Sequence, residues 1–244
     1  MAKIIDSDSA AKLSEPPAFG RSIHLGNQFE LTTSELVELG SSALLAGLSG
    51  VRSEAVIANK MGDFDRKVME FLGSGSNKKL EKAFRVLTVA TSEKVNIGLS
   101  IATFAFFWQR KQYLSAWLVL LATAGSMLFT IPLKYVLNRT RPLSINSIVN
   151  KGGKHSYPSG HSVAAFCYYG TLTWLGLKAF KHPSTRFGWA CLMISLIFLV
   201  GLSRAYLKEH HSSDVLGGYL MGSAWLLVLI CGAQLYAKKQ ANNS

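Results

Sequence analysis

The stretch that decides the fold is residues 215–236, which reads VLGGYLMGSAWLLVLICGAQLY and holds no charged side chain over 22 residues. A helix needs about 20 apolar residues to cross the hydrocarbon core of a bilayer, so this stretch predicts a membrane-spanning helix. Residues 113–133 form a similar uncharged run of 21, and residues 162–180 contain one lysine among 19. Residues 187–202 and 95–108 form shorter uncharged runs of 16 and 14.

These runs predict an all-α fold, an integral membrane helical bundle with five to six transmembrane helices. The run at 95–108 spans a bilayer only if its helix also includes residues 87–94. A weak sixth candidate lies within residues 36–58. The composition agrees, because 49% of the residues are hydrophobic and only 16% are charged, against roughly 25% in soluble domains. The alternative is a soluble core of five buried helices, which the little polar sequence that remains is too short to cover.

The chain divides into three predicted parts. Residues 1–35 are rich in Ser, Pro, Asp and Gly and predict a disordered N-terminal segment. Residues 36–86 predict amphipathic or weakly membrane-associated helices, with mixed charges that include Asp65 placed on a surface. Residues 87–240 are the predicted membrane-embedded core.

Charge and cysteine content narrow the possible partners. The formal net charge of +12 suits an anionic partner, whether nucleic acid, membrane headgroups or a phosphorylated substrate. The three cysteines all fall inside apolar runs, where a buried small hydrophobic role is expected. Three cysteines also exclude a framework of disulfides.

Three polar clusters interrupt the apolar runs. They lie at residues 134–142, 158–161 and 203–214. The first follows the second apolar run, the second precedes the third run, and the last joins the fourth run to the fifth. Because each spanning helix reverses the direction of the chain, helix counting places all three clusters on one membrane face.

Several residues in these clusters are suited to binding phosphate. Lys134, Arg141 and Arg204 supply three cations, and the planar guanidinium group matches phosphate oxygens. Ser159 and Gly160 precede a predicted helix, whose free N–H groups and dipole favour an anion. Each feature alone has a simpler explanation, since basic residues anchor headgroups and serine commonly caps a helix.

Two histidines and one carboxylate remain for chemistry. Asp214 follows His210 by four residues, so on a helical turn the carboxylate can fix the imidazole tautomer. His161 is suited to protonating a leaving oxygen on the other side of the phosphate. His211 is three residues from Asp214, so spacing alone does not exclude it as the nucleophile. The spacing of His210 and Asp214 also suits a metal site, although no third ligand stands out.

Taken together, the clusters resemble the signature of the type 2 phosphatidic acid phosphatase superfamily. That signature is Lys, six residues, Arg-Pro; then Pro-Ser-Gly-His; then Ser-Arg, five residues, His, three residues, Asp. All eleven specified residues are present in order and at full spacing. The superfamily includes lipid phosphatases, bacterial acid phosphatases and vanadium haloperoxidases, and its membrane members commonly have six spanning helices.

The resemblance implies a role for each matching residue. His210, rather than His211, is the implied nucleophile, and His161 is the implied general acid, with Asp214 as the third catalytic residue. The implied phosphate-binding residues are Lys134, Arg141, Ser159, Gly160 and Arg204. The resemblance implies no metal and no cofactor, a lipid phosphate as substrate, a bilayer setting and no nucleic-acid partner. It does not indicate an oligomeric state.

The expected function is a metal-independent phosphatase that removes phosphate from a lipid phosphomonoester or diphosphate through a phosphohistidine intermediate. One alternative is a phosphatase for a soluble phosphate ester. Another is a transporter or binding protein that holds a phosphate or lipid without catalysis, which His161, His210 and Asp214 argue against because binding alone needs no nucleophile and acid.

The distribution of basic residues predicts which way the site faces. The loops opposite the clusters carry seven basic residues, whereas the site face after residue 133 has four that are not committed to phosphate. Because cytoplasmic loops are enriched in Lys and Arg, this bias predicts a site on the non-cytoplasmic face.

Overall fold

The computed structural model describes residues 54–74, 77–137, 139–142 and 155–242, and the regular structure within these ranges is all helical. The helices are α1 (Glu54–Ser74), α2 (Lys78–Ala90), α3 (Glu93–Gln109), α4 (Tyr113–Leu137), α5 (Gly160–Ala179), α6 (Pro183–Tyr206) and α7 (Ser212–Asn242). The prediction of an all-α fold is confirmed for this part of the chain. The predicted disordered segment at residues 1–35 lies outside the described residues.

Helix α5 is the centre of the bundle. It packs against α4, α6 and α7, and most of its side chains are buried. The main apolar core surrounds it, with Val119 from α4, Ala165 from α5, Val200 from α6 and Ala233 from α7. As a result, the N-terminus of α5 emerges in the middle of one end of the bundle.

A glycine lets α7 approach that N-terminus closely. A Cβ atom added at Gly218 of α7 would lie 2.8 Å from the Cβ of Ser162 and 2.9 Å from the carbonyl oxygen of Ser159. Both distances are too short for a real Cβ atom, so a larger residue at this position would push the two helices apart. Gly218 therefore keeps the start of α7 beside the start of α5.

The outer surface of the bundle is apolar. Among the described residues, α4, α6 and residues Ser212–Gln240 of α7 are long and apolar enough to cross a membrane. The most apolar window of α6 has a mean hydropathy of 1.8, yet only 22% of it is buried. Its exposed side chains include Phe187, Ile194 and Phe198. Such a surface requires an apolar surrounding, and the chain is an integral membrane protein.

A membrane span at residues 95–108 was expected to need one continuous helix that also includes residues 87–94. The structure instead has a break in the helix before α3. Helix α2 ends at Ala90, and the 17-residue α3 begins only at Glu93. The Thr91 N–H and hydroxyl groups both donate to the Leu87 carbonyl, at 2.9 and 2.7 Å. A threonine that bonds to the preceding turn offers the backbone an alternative to continued helix, and the chain turns there.

Helices α1 and α2 pack against the end of the bundle where α6 finishes. The N–H group of Asn77 donates to the Tyr206 hydroxyl at 3.1 Å, and the hydroxyls of Thr88 and Ser203 are 3.3 Å apart. The rings of Phe84 and Tyr206 also contact each other, with centroids 5.0 Å apart. Helix α2 therefore crosses the last turns of α6, and the segment before residue 91 forms part of this end of the bundle.

Candidate active site

The three polar clusters meet at one end of the bundle, where α4 and α6 finish and α5 and α7 begin. The Ser159 N–H group donates to the Asp214 carbonyl oxygen at 3.0 Å, which joins the second cluster to the third. The Ser156 N–H group donates to the Arg139 carbonyl oxygen at 2.7 Å, and the Ser156 hydroxyl donates to the Thr140 carbonyl oxygen at 3.0 Å. These bonds fasten the first cluster to the segment that leads into the second.

Two arginines supply buried positive charge at this site. Arg204 is only 3% exposed, and its Nη2 forms an ion pair with Glu209. Among the described residues, the Nε and Nη1 atoms of Arg204 and the Nε atom of Arg141 are buried without a hydrogen-bond acceptor. Buried donors of this kind are costly unless they are satisfied. Their convergence marks a place suited to an anion with several oxygens.

The N-terminus of α5 faces the same place. Ser159 is the N-cap of α5, and its hydroxyl has no hydrogen-bond partner among the described residues. A Cβ atom added at Gly160 would lie 2.8 Å from Oε1 of Glu93 and 3.3 Å from Nζ of Lys134. The missing side chain at Gly160 thus allows the Lys134 ammonium group to approach the first turn of α5. The cation and the helix N–H groups together favour an anion.

His210 and Asp214 are paired at the start of α7. Both are almost fully buried, and Nδ1 of His210 is 3.6 Å from Oδ2 of Asp214. This distance is longer than a normal hydrogen bond, so the carboxylate lies beside Nδ1 without a close bond to it. Because Nδ1 faces the carboxylate, Nε2 is the ring nitrogen left to act on a substrate. Asp214 also accepts a hydrogen bond from the His211 N–H group at 2.9 Å.

The surroundings of His210 favour the neutral ring. Burial lowers the pKa of His210 below its usual range, and the charges of Arg204 and Arg141 lower it further, whereas Asp214 opposes the shift. A neutral imidazole has a lone pair, which a nucleophile requires.

His161 lies in the same field of positive charge, just before the apolar run at 162–180. Burial lowers the pKa of His161 to about 3, and the positive charges of Arg204, Lys134 and Arg141 contribute to the shift. The ring is therefore neutral in the unliganded site. A bound dianion would oppose the same positive charges and favour protonation.

His211 faces a different carboxylate. Its Nδ1 is 3.9 Å from Oδ2 of Asp65, which belongs to α1, and only its backbone N–H group bonds to Asp214. Spacing along the chain left His210 and His211 equivalent as partners of Asp214. In the structure the Asp214 carboxylate lies beside the ring of His210.

Four charged residues at or beside the site were not assigned a role from the sequence. Asp65 was predicted to lie on a surface, and that prediction is wrong, because Asp65 is 3% exposed and bonds to Arg139 and Ser213. Arg139 lies within the first cluster, at residues 134–142, so its position in the sequence could have identified it as a candidate site residue. Glu209 pairs with Arg204, and Glu93 lies beside Gly160.

Within the described ranges, no group of three or more His, Cys, Asp or Glu side chains is placed to hold a metal ion.

Comparisons with known proteins agree on one family. The family model described as the PAP2 superfamily matches residues 115–236. Phosphatidylglycerophosphatase B of Bacillus subtilis (strain 168) is 33% identical over 117 residues, which are 48% of this chain and 56% of that protein. The alignment thus spans little more than half the length of this relative.

A solved structure resembles the chain over a longer stretch. It is described as the first transmembrane PAP2 type phosphatidylglycerolphosphate phosphatase from Bacillus subtilis, and it matches with a TM-score of 0.68 at 26% identity. The match covers 82% of this chain and 96% of that one. The likeness therefore extends beyond residues 115–236 and includes helices that precede them.

Proposed function

The chain belongs to the PAP2 superfamily, and on this basis we propose that it is a membrane phosphatase that removes phosphate from a lipid phosphomonoester or diphosphate. The observation that carries the proposal is the set of buried guanidinium N–H groups on Arg204 and Arg141 that lack acceptors among the described residues. They lie in one site with His161 and His210, at the end of a bundle whose outer surface is apolar.

The first proposed step transfers the phosphoryl group to His210. The lone pair of Nε2 attacks phosphorus in line, and the bond from phosphorus to the lipid oxygen breaks. Arg204, Arg141 and Lys134 stabilise the charge on the equatorial phosphate oxygens, helped by the first turn of α5. His161, protonated once the dianion is bound, gives its proton to the departing oxygen.

The second proposed step frees the phosphate. His161 is now neutral and takes a proton from a water molecule, whose oxygen attacks phosphorus. The bond from phosphorus to Nε2 of His210 breaks and inorganic phosphate leaves. As the anion departs, His161 releases its proton to solvent, and both histidine rings are neutral again. Asp214 stabilises the positive charge that the His210 ring carries while it is phosphorylated.

The bilayer favours a lipid substrate, because the tails remain in the hydrocarbon region while the headgroup reaches the site. The names of the two relatives make phosphatidylglycerol phosphate the first substrate to test. We propose five to six membrane spans. Residues 162–179 of α5 and the 17-residue α3, which lacks residues 87–92 and is at the lower limit of length for a span, join the three helices that qualify by length and composition. The sixth would come from the candidate within residues 36–58. We also place the site on the non-cytoplasmic face, which labelling of Lys208→Cys by a membrane-impermeant thiol reagent in intact cells would test.

A phosphate-release assay on the purified protein in detergent micelles tests this function. The panel contains phosphatidylglycerol phosphate, phosphatidate, undecaprenyl diphosphate, a lipid A phosphate and a soluble sugar phosphate. We expect release from at least one lipid at a rate well above that from the sugar phosphate. The activity should survive EDTA and be inhibited by vanadate, which mimics five-coordinate phosphorus.

Two outcomes of the assay would contradict the proposal. Faster turnover of the soluble ester would favour the alternative of a soluble phosphate substrate. Loss of activity in EDTA with recovery on addition of a divalent ion would contradict a site in which cations and helix N–H groups take the place of a metal.

A further inference from the structure

A chain of charged groups connects α1 to the site. Arg139 donates through Nη1 to Oδ1 of Asp214 at 2.5 Å and through Nη2 to Oδ2 of Asp65 at 2.9 Å. It therefore bridges two carboxylates, one on α7 and one on α1. Asp65 and Asp214 are almost fully buried, and the side chain of Arg139 is 22% exposed.

Asp65 also holds the first turn of α7. Its Oδ1 accepts from the Ser213 N–H group at 2.8 Å, and its Oδ2 accepts from the Ser213 hydroxyl at 2.6 Å. The Ser213 hydroxyl accepts in turn from Nη1 of Arg139 at 2.8 Å. Asp65 acts here as an N-terminal cap supplied by another helix, with a negative charge at the positive end of the α7 dipole.

The arrangement leaves Asp214 little freedom. Its Oδ1 is held by Arg139, and its Oδ2 accepts from the His211 N–H group while facing the ring of His210. An unpaired carboxylate at 0% exposure would be very costly, so the cation of Arg139 is required to keep Asp214 ionised there. Asp65 in turn balances the charge of Arg139, so Asp214 is not the only acceptor for that guanidinium group.

We propose that Asp65 and Arg139 are positioning residues for the phosphatase site, which orient Asp214 so that it holds His210 for attack on phosphorus. This inference rests on the proposed function. It makes α1 a functional part of the site, although α1 lies outside residues 115–236 that match the family. The carboxylate of Asp65 and both terminal nitrogens of Arg139 bond to protein groups, so both residues act through Asp214 on the rate rather than on substrate binding.

The test uses Asp65→Asn in the full-length protein, with Asp63→Asn as its matched control. Asp63 lies on the same helix and pairs with Arg66, but its side chain is 74% exposed. For Asp65→Asn we expect kcat on the best lipid substrate to fall by about 10- to 100-fold, by analogy with the loss of residues that orient the ligands of a metal site. KM should change little, because Arg204, Arg141 and Lys134 are untouched. The control variant Asp63→Asn should keep the wild-type kcat and KM.

A second readout does not depend on activity. The charged or titratable groups around His210 are Asp214 on α7, Arg204 on α6, Arg141 after α4 and His161 on α5. Asp65→Asn removes a negative charge from this network and should lower the pKa of His210, measured by NMR of labelled histidine. Arg139→Gln removes the cation that keeps Asp214 ionised, so Asp214 takes up a proton and the pKa of His210 should fall as well. Arg139→Lys keeps the charge and should shift the pKa of His210 less.

The outcomes separate this inference from the proposed function. Without lipid phosphatase activity in the wild-type protein, the function fails, and the histidine titrations still test the network. With an active wild type, a folded Asp65→Asn variant that matches Asp63→Asn in kcat and in the His210 titration overturns the inference. If Asp65→Asn does not fold, Arg139→Lys takes its place. It keeps the charge but cannot bridge both carboxylates, and normal kcat in that variant would equally overturn the inference.

Discussion

His161 and His210 belong to one site, and their surroundings set which protonation state each adopts. Both are buried beside Arg204 and Arg141, so the neutral ring is favoured for both in the unliganded protein. The proposed nucleophile needs this state, whereas the proposed acid needs a proton. A phosphate dianion resolves the conflict, because its charge opposes the cations and makes protonation of His161 favourable as the substrate binds.

We predict that His161 and His210 both titrate below pH 6.5 in the unliganded protein, since burial and neighbouring cations lower each pKa. Vanadate should raise the pKa of His161, because the bound anion opposes the same positive charges. The measurement is NMR of histidine ring carbons in detergent micelles, with resonances assigned by His161→Gln and His210→Gln. A pKa of 6.5 or above for His161 in the absence of an anion would show that burial and the neighbouring cations do not lower its pKa.

At the scale of elements, the short connection between α6 and α7 shapes the phosphate site. Lys208 adopts a positive φ of 54°, a conformation that a non-glycine residue rarely takes, and the chain reverses there. The reversal lets the N–H groups of Glu209 and His210 donate to the Arg204 carbonyl, at 3.0 and 3.3 Å. It also returns the Glu209 carboxylate to the Arg204 guanidinium group, where a substrate phosphate would bind.

Glu209 should therefore compete with the substrate for Arg204. We predict that Glu209→Gln lowers the inhibition constant for vanadate by about twofold to fivefold, since a partly exposed ion pair is worth up to roughly 1 kcal/mol. Glu81→Gln is the matched control, because it removes a carboxylate that pairs with Arg85 on α2, away from the site. An inhibition constant that is unchanged or higher in Glu209→Gln would show that Glu209 supports the site rather than competing in it.

For the molecule as a whole, the features that could be predicted from the sequence are those set by residues close together along the chain or by the order of the helices. The apolar runs predict helices because the thickness of a bilayer constrains each run by itself. The meeting of the three clusters also follows, since helix counting decides which loops share an end. The end of α2 at Ala90 was not predicted, because it depends on the hydrogen bond from the Thr91 hydroxyl to the Leu87 carbonyl oxygen.

The network around Asp65 could not be predicted in the same way. Asp65 bonds to Ser213, 148 residues away, and to Arg139, 74 residues away. A carboxylate within a charged helix has the same local pattern whether it is solvated or buried against distant partners. Only the packing of α1 on the end of the bundle distinguishes the two, and that packing depends on the whole fold.

The proposed mechanism requires His210 to carry the phosphoryl group during turnover. Rapid mixing with a lipid substrate labelled in its phosphate, an alkaline quench and peptide mapping test it directly. We predict an acid-labile, base-stable label on the peptide that contains His210, retained in His211→Ala and absent in His210→Ala. Wild-type turnover without a labelled intermediate, or a label that persists in a folded His210→Ala variant, would show that His210 does not carry the phosphoryl group.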